Sequence, residues 1–448
     1  TKQFVFYGDS YIFKTDVTLS NMESVIPARG YNLIWDDGIR YQERNSVDES
    51  GDAVSMASLN GDVEELNASD EKMQEKSPTG IIDFTANKTK YFGVAFIPQP
   101  YNSFDGTADL QGYRVKTGNE GVIEKYAMSF RIPYRGGVQT KSFMVYLGPL
   151  EYDILKKLEL SAMINFGWKL VVRPIGEYFM LPIFTFLHKF ISNYGIAIII
   201  FSILMKILLY PLSITQLKSS QKMQLLGPEL QKLRDKYKDD QKTQQKETMK
   251  LYSQYGINPA GGCLPLILQM PILYALWAVL RTSIDLRQAN FFLWITDLSV
   301  PDHFIDLPFS LLGIKTISGL ALLMGITMFI QQKMTITDPK QKAMVYMMPV
   351  MFTLLFSNFP SGLNLYYFMF NLMSIGQQVW MNKFSSKKPT LEDLKKSPKK
   401  EGFIQKKMRQ AQDIAESQGK TLPGKKLPNP NKQNTITPTK YKPKPKKK

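Results

Sequence analysis

The chain has 448 residues, a mean hydropathy of −0.19 and a formal net charge of +17, averages that would suit a soluble basic protein. The charge is unevenly placed: residues 1–150 carry 15 Lys and Arg against 20 Asp and Glu, residues 151–382 carry 21 against 14, and residues 383–448 carry 20 against 5. A single cysteine, Cys263, excludes an internal disulfide, and neither His188 nor His303 has a metal-ligand pattern around it.

Residues 1–153 read as β-structure. Aromatic and β-branched runs such as Gln3–Tyr7, Tyr91–Ile97 and Lys141–Tyr146 alternate with turn signals at Asn60-Gly61 and Arg135-Gly-Gly137. No long helical period occurs here, so an antiparallel sandwich is expected, without a catalytic motif. The sequons at Asn67 and Asn87 are taken as chance matches. Residues 154–193 mix apolar and basic side chains around Pro174 and Pro182, which predicts an amphipathic helix at a bilayer surface, with a short buried segment as the other reading.

Five membrane-length segments follow within residues 194–382: Tyr194–Leu212, Cys263–Leu280, Ile314–Ile330, Met344–Phe359 and Leu363–Met381. A bilayer crossing needs roughly 20 mostly apolar residues, so the second and fourth require tilting or local thinning. Between the first two, residues 215–259 are polar, with apolar positions at Leu226, Leu230, Leu233 and Tyr237, then Met249, Tyr252 and Tyr255. This predicts a helical hairpin whose arms pair as an antiparallel coiled coil. Residues 383–448, rich in Pro and Lys, predict a disordered basic tail.

Nine Lys and Arg in the hairpin and twenty in the tail contrast with two, Arg281 and Arg287, in the loop 281–313. The positive-inside rule then puts hairpin and tail in the cytoplasm and the 281–313 loop and β-domain outside, consistent with an odd number of crossings. No signal peptide or early crossing is visible at the start of the sequence, although a β-domain outside the cytoplasm must be exported, so the chain is expected to be an N-terminally truncated piece of a longer protein.

Lys206 lies within the first apolar segment, with Ser202 one turn earlier on the same face. A cation at that depth costs about 2.5–3.5 kcal/mol on insertion scales, which asks for a reason. Six residues from Leu212, it could also snorkel its ammonium to the headgroups and do nothing more. In the last segment Asn364, Tyr367, Asn371, Ser374 and Gln378 are spaced three, four, three and four residues apart and share one helical face. With Ser202, Lys206 and Gln269 they predict a polar, partly hydrated cavity; interhelical hydrogen-bond glue is the plainer reading. No Asp or Glu falls inside the five segments, and no nucleophile–base pair, phosphate loop or metal motif occurs, so neither an enzyme nor a cofactor is expected.

The runs Lys206-Ile-Leu-Leu-Tyr-Pro-Leu212 and Asn258-Pro-Ala-Gly-Gly-Cys-Leu-Pro-Leu-Ile-Leu-Gln-Met-Pro271 resemble the YidC/Oxa/Alb family of membrane protein insertases. So do Ile284–Ala289, Trp294–Ser299, Phe359–Leu363 and Tyr366-Tyr367. The resemblance covers about residues 190–382, and Phe96–Pro98 with Val145–Pro149 look like the end of the periplasmic domain of its bacterial members. It implies a multidomain bacterial inner-membrane protein: a periplasmic β-sandwich, a five-helix core with a cytoplasmic hairpin, and a hydrophilic groove open to cytoplasm and lipid. Lys206 stands where the family has an arginine, keeping the charge but not the bidentate fork. Ser202 and Tyr367 match groove-lining positions and Met270 the substrate-contacting surface. The implied partners are nascent membrane proteins, the Sec translocon and, through the tail, ribosomal RNA; a tail that only anchors topology on anionic lipid is the alternative. Two other functions compete with this one: a small-anion transporter using Lys206 as substrate site, which lacks the repeated halves such folds show, and an anchored scaffold, which has no use for the polar stripe.

Overall fold

The computed structural model describes residues 1–26, 30–118, 120–168, 170–257, 264–311, 314–336, 342–384 and 390–396. The motif residues 258–263, including Cys263, and the tail beyond residue 396 lie outside that set.

Residues 2–149 form eleven strands: β1 (Lys2–Phe6), β2 (Ile12–Ser20), β3 (Tyr31–Trp35), β4 (Val54–Leu59), β5 (Asp62–Leu66), β6 (Gln74–Lys76), β7 (Thr79–Lys88), β8 (Phe92–Gln99), β9 (Phe104–Lys116), β10 (Val122–Ile132) and β11 (Val138–Pro149), with a short helix α1 (Ser46–Ser50). Every pairing is antiparallel, in the order β1-β2-β11-β8-β7-β9-β10-β3. The pleat puts alternate side chains on one face; in β10 these are Glu124, Tyr126, Met128, Phe130 and Ile132, all buried.

The expected two layers are one continuous sheet that curls at β7. Residues 85–88 of this strand pair with β8 and residues 79–82 with β9. Along its other edge β4 slips register between Ser58 and Leu59. At that slip the Asp83 carboxylate accepts from Ser58 Oγ and from the Gly61 N–H, both at 2.8 Å. The curl encloses Ala57, Ile82, Phe96, Phe104, Phe130 and Phe143, with Phe130 ringed at 5.0 Å from Phe104 and 5.5 Å from Phe143.

Residues 154–193 do not form one amphipathic helix. They break into α2 (Tyr152–Lys157), a 3₁₀ turn, α3 (Val172–Ile175), a π-turn and α4 (Leu181–His188). Gly167, at φ +88°, reverses the chain before α3, and Pro182 starts α4. Leu155, Phe166, Val172, Met180 and Phe184 turn inward, while Trp168, Tyr178, Phe186 and Phe190 stay exposed.

The helical core and hairpin comprise α5 (Tyr194–Leu208), α6 (Tyr210–Leu225), α7 (Gly227–Lys236), α8 (Gln241–Gln254), α9 (Leu264–Thr282), the hairpin β12 (Ile305–Leu311) and β13 (Ile314–Ile317), then α10 (Gly319–Thr335), α11 (Lys342–Phe356), α12 (Ser361–Phe384) and α13 (Leu391–Lys396). Three expectations are corrected. The first segment stops at Leu208 and bends by 65° at Leu209, where Pro211 starts the next helix. The third starts at Gly319, because residues 314–317 pair with β12 and Ser318 Oγ caps the helix by accepting from the Ala321 N–H. The first arm of the polar hairpin breaks in two at Gly227-Pro228, so the hairpin is built of α6, α7 and α8. Moreover α13 lies inside the segment expected to be disordered. Leu394 is buried among Leu226, Leu230, Tyr252 and Tyr255, the apolar face that the hairpin otherwise leaves open.

Among the described residues no single helix is long and apolar enough to cross a membrane alone; the bent pair α5–α6 is, by length and composition. The 24-residue α12 is long enough, but its polar stripe lowers its hydropathy. The β-domain and helices share one core: Val54, Met56, Phe84, Ala86 and Leu150 meet Phe166, Val172, Ala275 and Val279.

Truncating Phe130, fully buried where three aromatic rings converge, should cost about 3–5 kcal/mol. Phe130→Ala is therefore expected to lower the melting temperature of the β-domain, read from near-ultraviolet circular dichroism of the purified chain. An unchanged transition would refute this account of the curl.

Candidate functional site

Lys206 occupies the last turn of α5 rather than the middle of a long span. Its ammonium donates to Ser374 Oγ on α12 at 2.7 Å and lies 4.7 Å from the centre of the Phe370 ring. Ser374 Oγ in turn donates to the Phe370 carbonyl at 2.8 Å, leaving a lone pair for the cation. Lys206 is 9% exposed, and among the described residues no carboxylate pairs with it. The side chain therefore reaches sideways across the α5–α12 contact instead of running out along the helix. The carbonyl end of α5 and the face of Phe370 both favour its charge. Ser202, one turn earlier and fully buried, donates to its own helix at Ile198 O, 2.7 Å.

Inward from Ser374 the stripe continues to Gln378, whose amide donates to Met334 O at 3.1 Å and to Thr335 Oγ1 at 3.3 Å at the end of α10. Gln224 of α6 donates to the carbonyls of Met334 and Thr335, at 3.1 and 2.8 Å, and Ser220 to Thr335 at 3.3 Å. Asn371 is half-buried just before Ser374. A polar seam thus joins α5, α12, α10 and α6 at one end of the core, the end where α5 and α10 finish.

Asn364 belongs elsewhere. Its amide donates to Ser318 Oγ at 3.3 Å and to Phe356 O at 3.1 Å. Ser318 donates to Asp302 Oδ1, and Asp302 Oδ2 accepts from Trp294 Nε1 at 2.8 Å and from the Leu320 N–H at 3.1 Å. Ser357 Oγ accepts from the Ser318 N–H at 3.3 Å. This buried carboxylate network ties the 289–302 loop to α10, α11 and α12 at the opposite end. Ser361 and Gly362 add backbone bonds to Val300 and Leu298, both 2.9 Å. Tyr367 lies between the two clusters, its ring edge-on to Phe356 and Tyr366 at 5.4 Å each. Apolar rings, not a continuous polar wall, separate Asn364 from Ser374.

Gln269 and Met270 sit on α9. Gln269 is half-buried and Met270 half-exposed, in a stretch with Ile267, Leu268 and Tyr274 that faces outward. Among the described residues neither shares a hydrogen bond with the Lys206–Ser374 pair.

Sequence reasoning missed Gln224 and Ser220, read as hairpin surface, and the whole Asp302 network. Ser318 immediately before an apolar run is a helix-start signal that would have corrected the third segment. Nothing local marks Asp302, which takes its meaning from Trp294 and Ser318 brought together by the fold.

A curled all-β domain packed on an apolar helical core with a buried cation and a polar seam defines the class: a two-part α and β protein whose polar cluster lies among the helices. The comparisons carry this further. Residues 186–388 match the sequence profile described as 60Kd inner membrane protein, and residues 1–178 match the YidC periplasmic domain. The membrane protein insertase YidC of Chlorobium phaeovibrioides is 43% identical over 387 residues, covering 84% of this chain and 65% of that protein. That of Chloroherpeton thalassium is 38% identical over 398 residues, covering 87% and 67%. A crystal structure of active YidC insertase with its first transmembrane domain resolved aligns over 84% of this chain and 75% of that one, at 23% identity and TM-score 0.41. The chain belongs to the YidC family, and it spans about two thirds of the length of these curated relatives.

Removing the Asp302 carboxylate strands the Trp294 indole N–H, the Ser318 hydroxyl and the Leu320 N–H. Each charge-assisted bond is worth about 1.5–3 kcal/mol. Asp302→Ala is expected to destabilise the helical core by about 3 kcal/mol or more, measured as a lowered unfolding midpoint in detergent, whereas Asp306→Ala, on the exposed hairpin, should be near neutral.

Proposed function

We propose that this protein acts as an insertase and folding chaperone for nascent integral membrane proteins in a bacterial inner membrane. The observation that carries the reading is Lys206: a buried ammonium held by one hydroxyl, without a carboxylate partner among the described residues, where a polar seam begins. A cation bound to a carboxylate would be neutralised; one bound to Ser374 keeps its field for an incoming group. The seam formed by Lys206, Ser374, Gln378 and Gln224 lowers the cost of bringing polar or acidic segments into the apolar core, by replacing part of their hydration. Nothing is hydrolysed. The driving force is burial of the substrate's apolar segment in lipid.

In this reading five crossings, with α5 bent at Leu209, place the β-domain in the periplasm and the α6–α8 hairpin and tail in the cytoplasm. The groove comprises Ser202, Lys206, Tyr367, Asn371, Ser374 and Gln378, with Gln269 and Met270 of α9 as the substrate-contacting face. Asn364 belongs to the outer closure of that groove. The names of the relatives support insertion of membrane proteins as the activity. Work beside the Sec translocon, ribosome contact through the basic tail, and attraction of that tail to anionic lipid follow from charge and family.

Complementation of cells depleted of their own insertase tests the reading, using the whole protein at matched expression. Wild type and Lys206→Arg are expected to restore growth, and Lys206→Ala to fail or to need at least tenfold higher expression. Full rescue by Lys206→Ala would remove the cation from the mechanism. Failure of wild type, with no insertion in a reconstituted assay, would overturn the function itself.

A further inference from the structure

The inner half of α9 has few neighbours, yet it carries Gln269 and Met270. Ile267, Leu268, Met270 and Tyr274 are 64%, 55%, 52% and 44% exposed. The outer half is fixed: Ala275, Leu276, Val279 and Leu280 are buried in the core shared with the β-domain. The last turn ends in Arg281, whose guanidinium makes the only ion pairs between α9 and the β-domain among the described residues.

That contact is two-pronged. Nη2 lies 3.0 Å from Asp48 Oδ1 and Nε 3.0 Å from Asp52 Oδ2, while Nη2 also donates to the Asp48 carbonyl at 3.1 Å. The Trp277 ring, one turn earlier, backs the guanidinium at 5.3 Å. Asp48 and Asp52 are themselves held from behind. Lys90, nearly fully buried, donates to Asp48 Oδ2 at 2.8 Å, and Lys88 to the Asp52 carbonyl at 2.7 Å. Asn45 caps α1 through the Asp48 N–H, and Glu49 gathers the N–H groups of Gln42 and Glu43. Six residues on, Arg287 pairs with Glu43 at 2.7 Å. A planar fork seated between two fixed carboxylates restricts direction as well as distance.

We infer that Arg281 is a positioning residue for the substrate face: by locking the outer end of α9 onto Asp48 and Asp52 of the β-domain, it sets the tilt of the helix that presents Gln269 and Met270. Met270 lies eleven residues from this anchor, about 16 Å along the helix, so a 10° change at Arg281 moves it by about 3 Å. The β-domain thereby acts on the groove without touching substrate. This deepens the insertase reading and rests on it for its functional half.

The test uses the whole protein in lipid nanodiscs, with Cys263→Ala and spin labels on Val138→Cys of β11 and Ile267→Cys of α9, both well exposed. Pulsed electron spin resonance reads the distance between them. In the otherwise wild-type background the distribution is expected to be narrow. Arg281→Gln should at least double its width, and so should Asp48→Asn combined with Asp52→Asn, which leaves α9 untouched. The exchange Arg281→Asp with Asp52→Arg should narrow it again. In a reconstituted insertion assay the same unlabelled variants should lose at least threefold in yield and the exchange recover it. A narrow distribution in Arg281→Gln overturns the anchor. Broadening without loss of insertion overturns its role at the substrate face. A wild type that inserts nothing overturns the insertase reading alone, and the distances still decide the anchor.

Discussion

One ammonium facing one hydroxyl governs how the helical core is arranged. Lys206 cannot leave the contact between α5 and α12 without giving up Ser374, and Ser374 cannot be replaced by an apolar residue without stranding a charge. The pair fixes the rotation of both helices. That rotation sends the rest of the α12 stripe toward α10 and α6, where Gln378 and Gln224 converge on the final carbonyls of α10. It also leaves the Phe370 and Tyr366 rings to pack behind the cation, against Phe201 of α5.

The 3.6-residue period made the stripe on α12 visible, and the cost of burying a lysine singled out Lys206. The period reports which residues share a face, however, and not what each meets there. Asn364 and Ser374 lie on one face of one helix, yet one faces the Asp302 network and the other Lys206. Asp302 is 62 residues upstream of Asn364, in a loop whose course depends on Trp294 and Val300 finding their partners. The β-domain was legible as strands by the same kind of argument. Its curl was not, because the partner change at β7, which coincides with a register slip against β4, depends on strands distant in sequence. The broken course of residues 154–193 falls between these cases: Pro174 and Pro182 mark breaks that an apolar–basic composition does not show, and Gly167 takes its positive φ from the fold.

The two domains are less separate than their compositions suggest. An acidic β-domain and a basic remainder meet over a shared apolar core, and the ion pairs of Arg281 and Arg287 with Asp48, Asp52 and Glu43 put that charge difference to use at the junction. The loop bearing α1 contributes three of those carboxylates, so a segment with no regular length of its own becomes the joint between sheet and helices.

The Asp302 network makes the two ends of the helical core unlike. At the outer end, separating α10, α11 and α12 from the loop means breaking several hydrogen bonds around a buried carboxylate at once, including those of Trp294, Ser318 and Leu320. At the other end the Lys206–Ser374 pair is joined by amide and hydroxyl bonds of Gln378, Gln224 and Ser220 to groups at the end of α10, which water satisfies nearly as well. Parting the bundle at the Asp302 end therefore breaks a compact knot around one buried carboxylate, whereas parting it at the other end separates bonds spread over four helices, the Lys206–Ser374 pair the costliest among them.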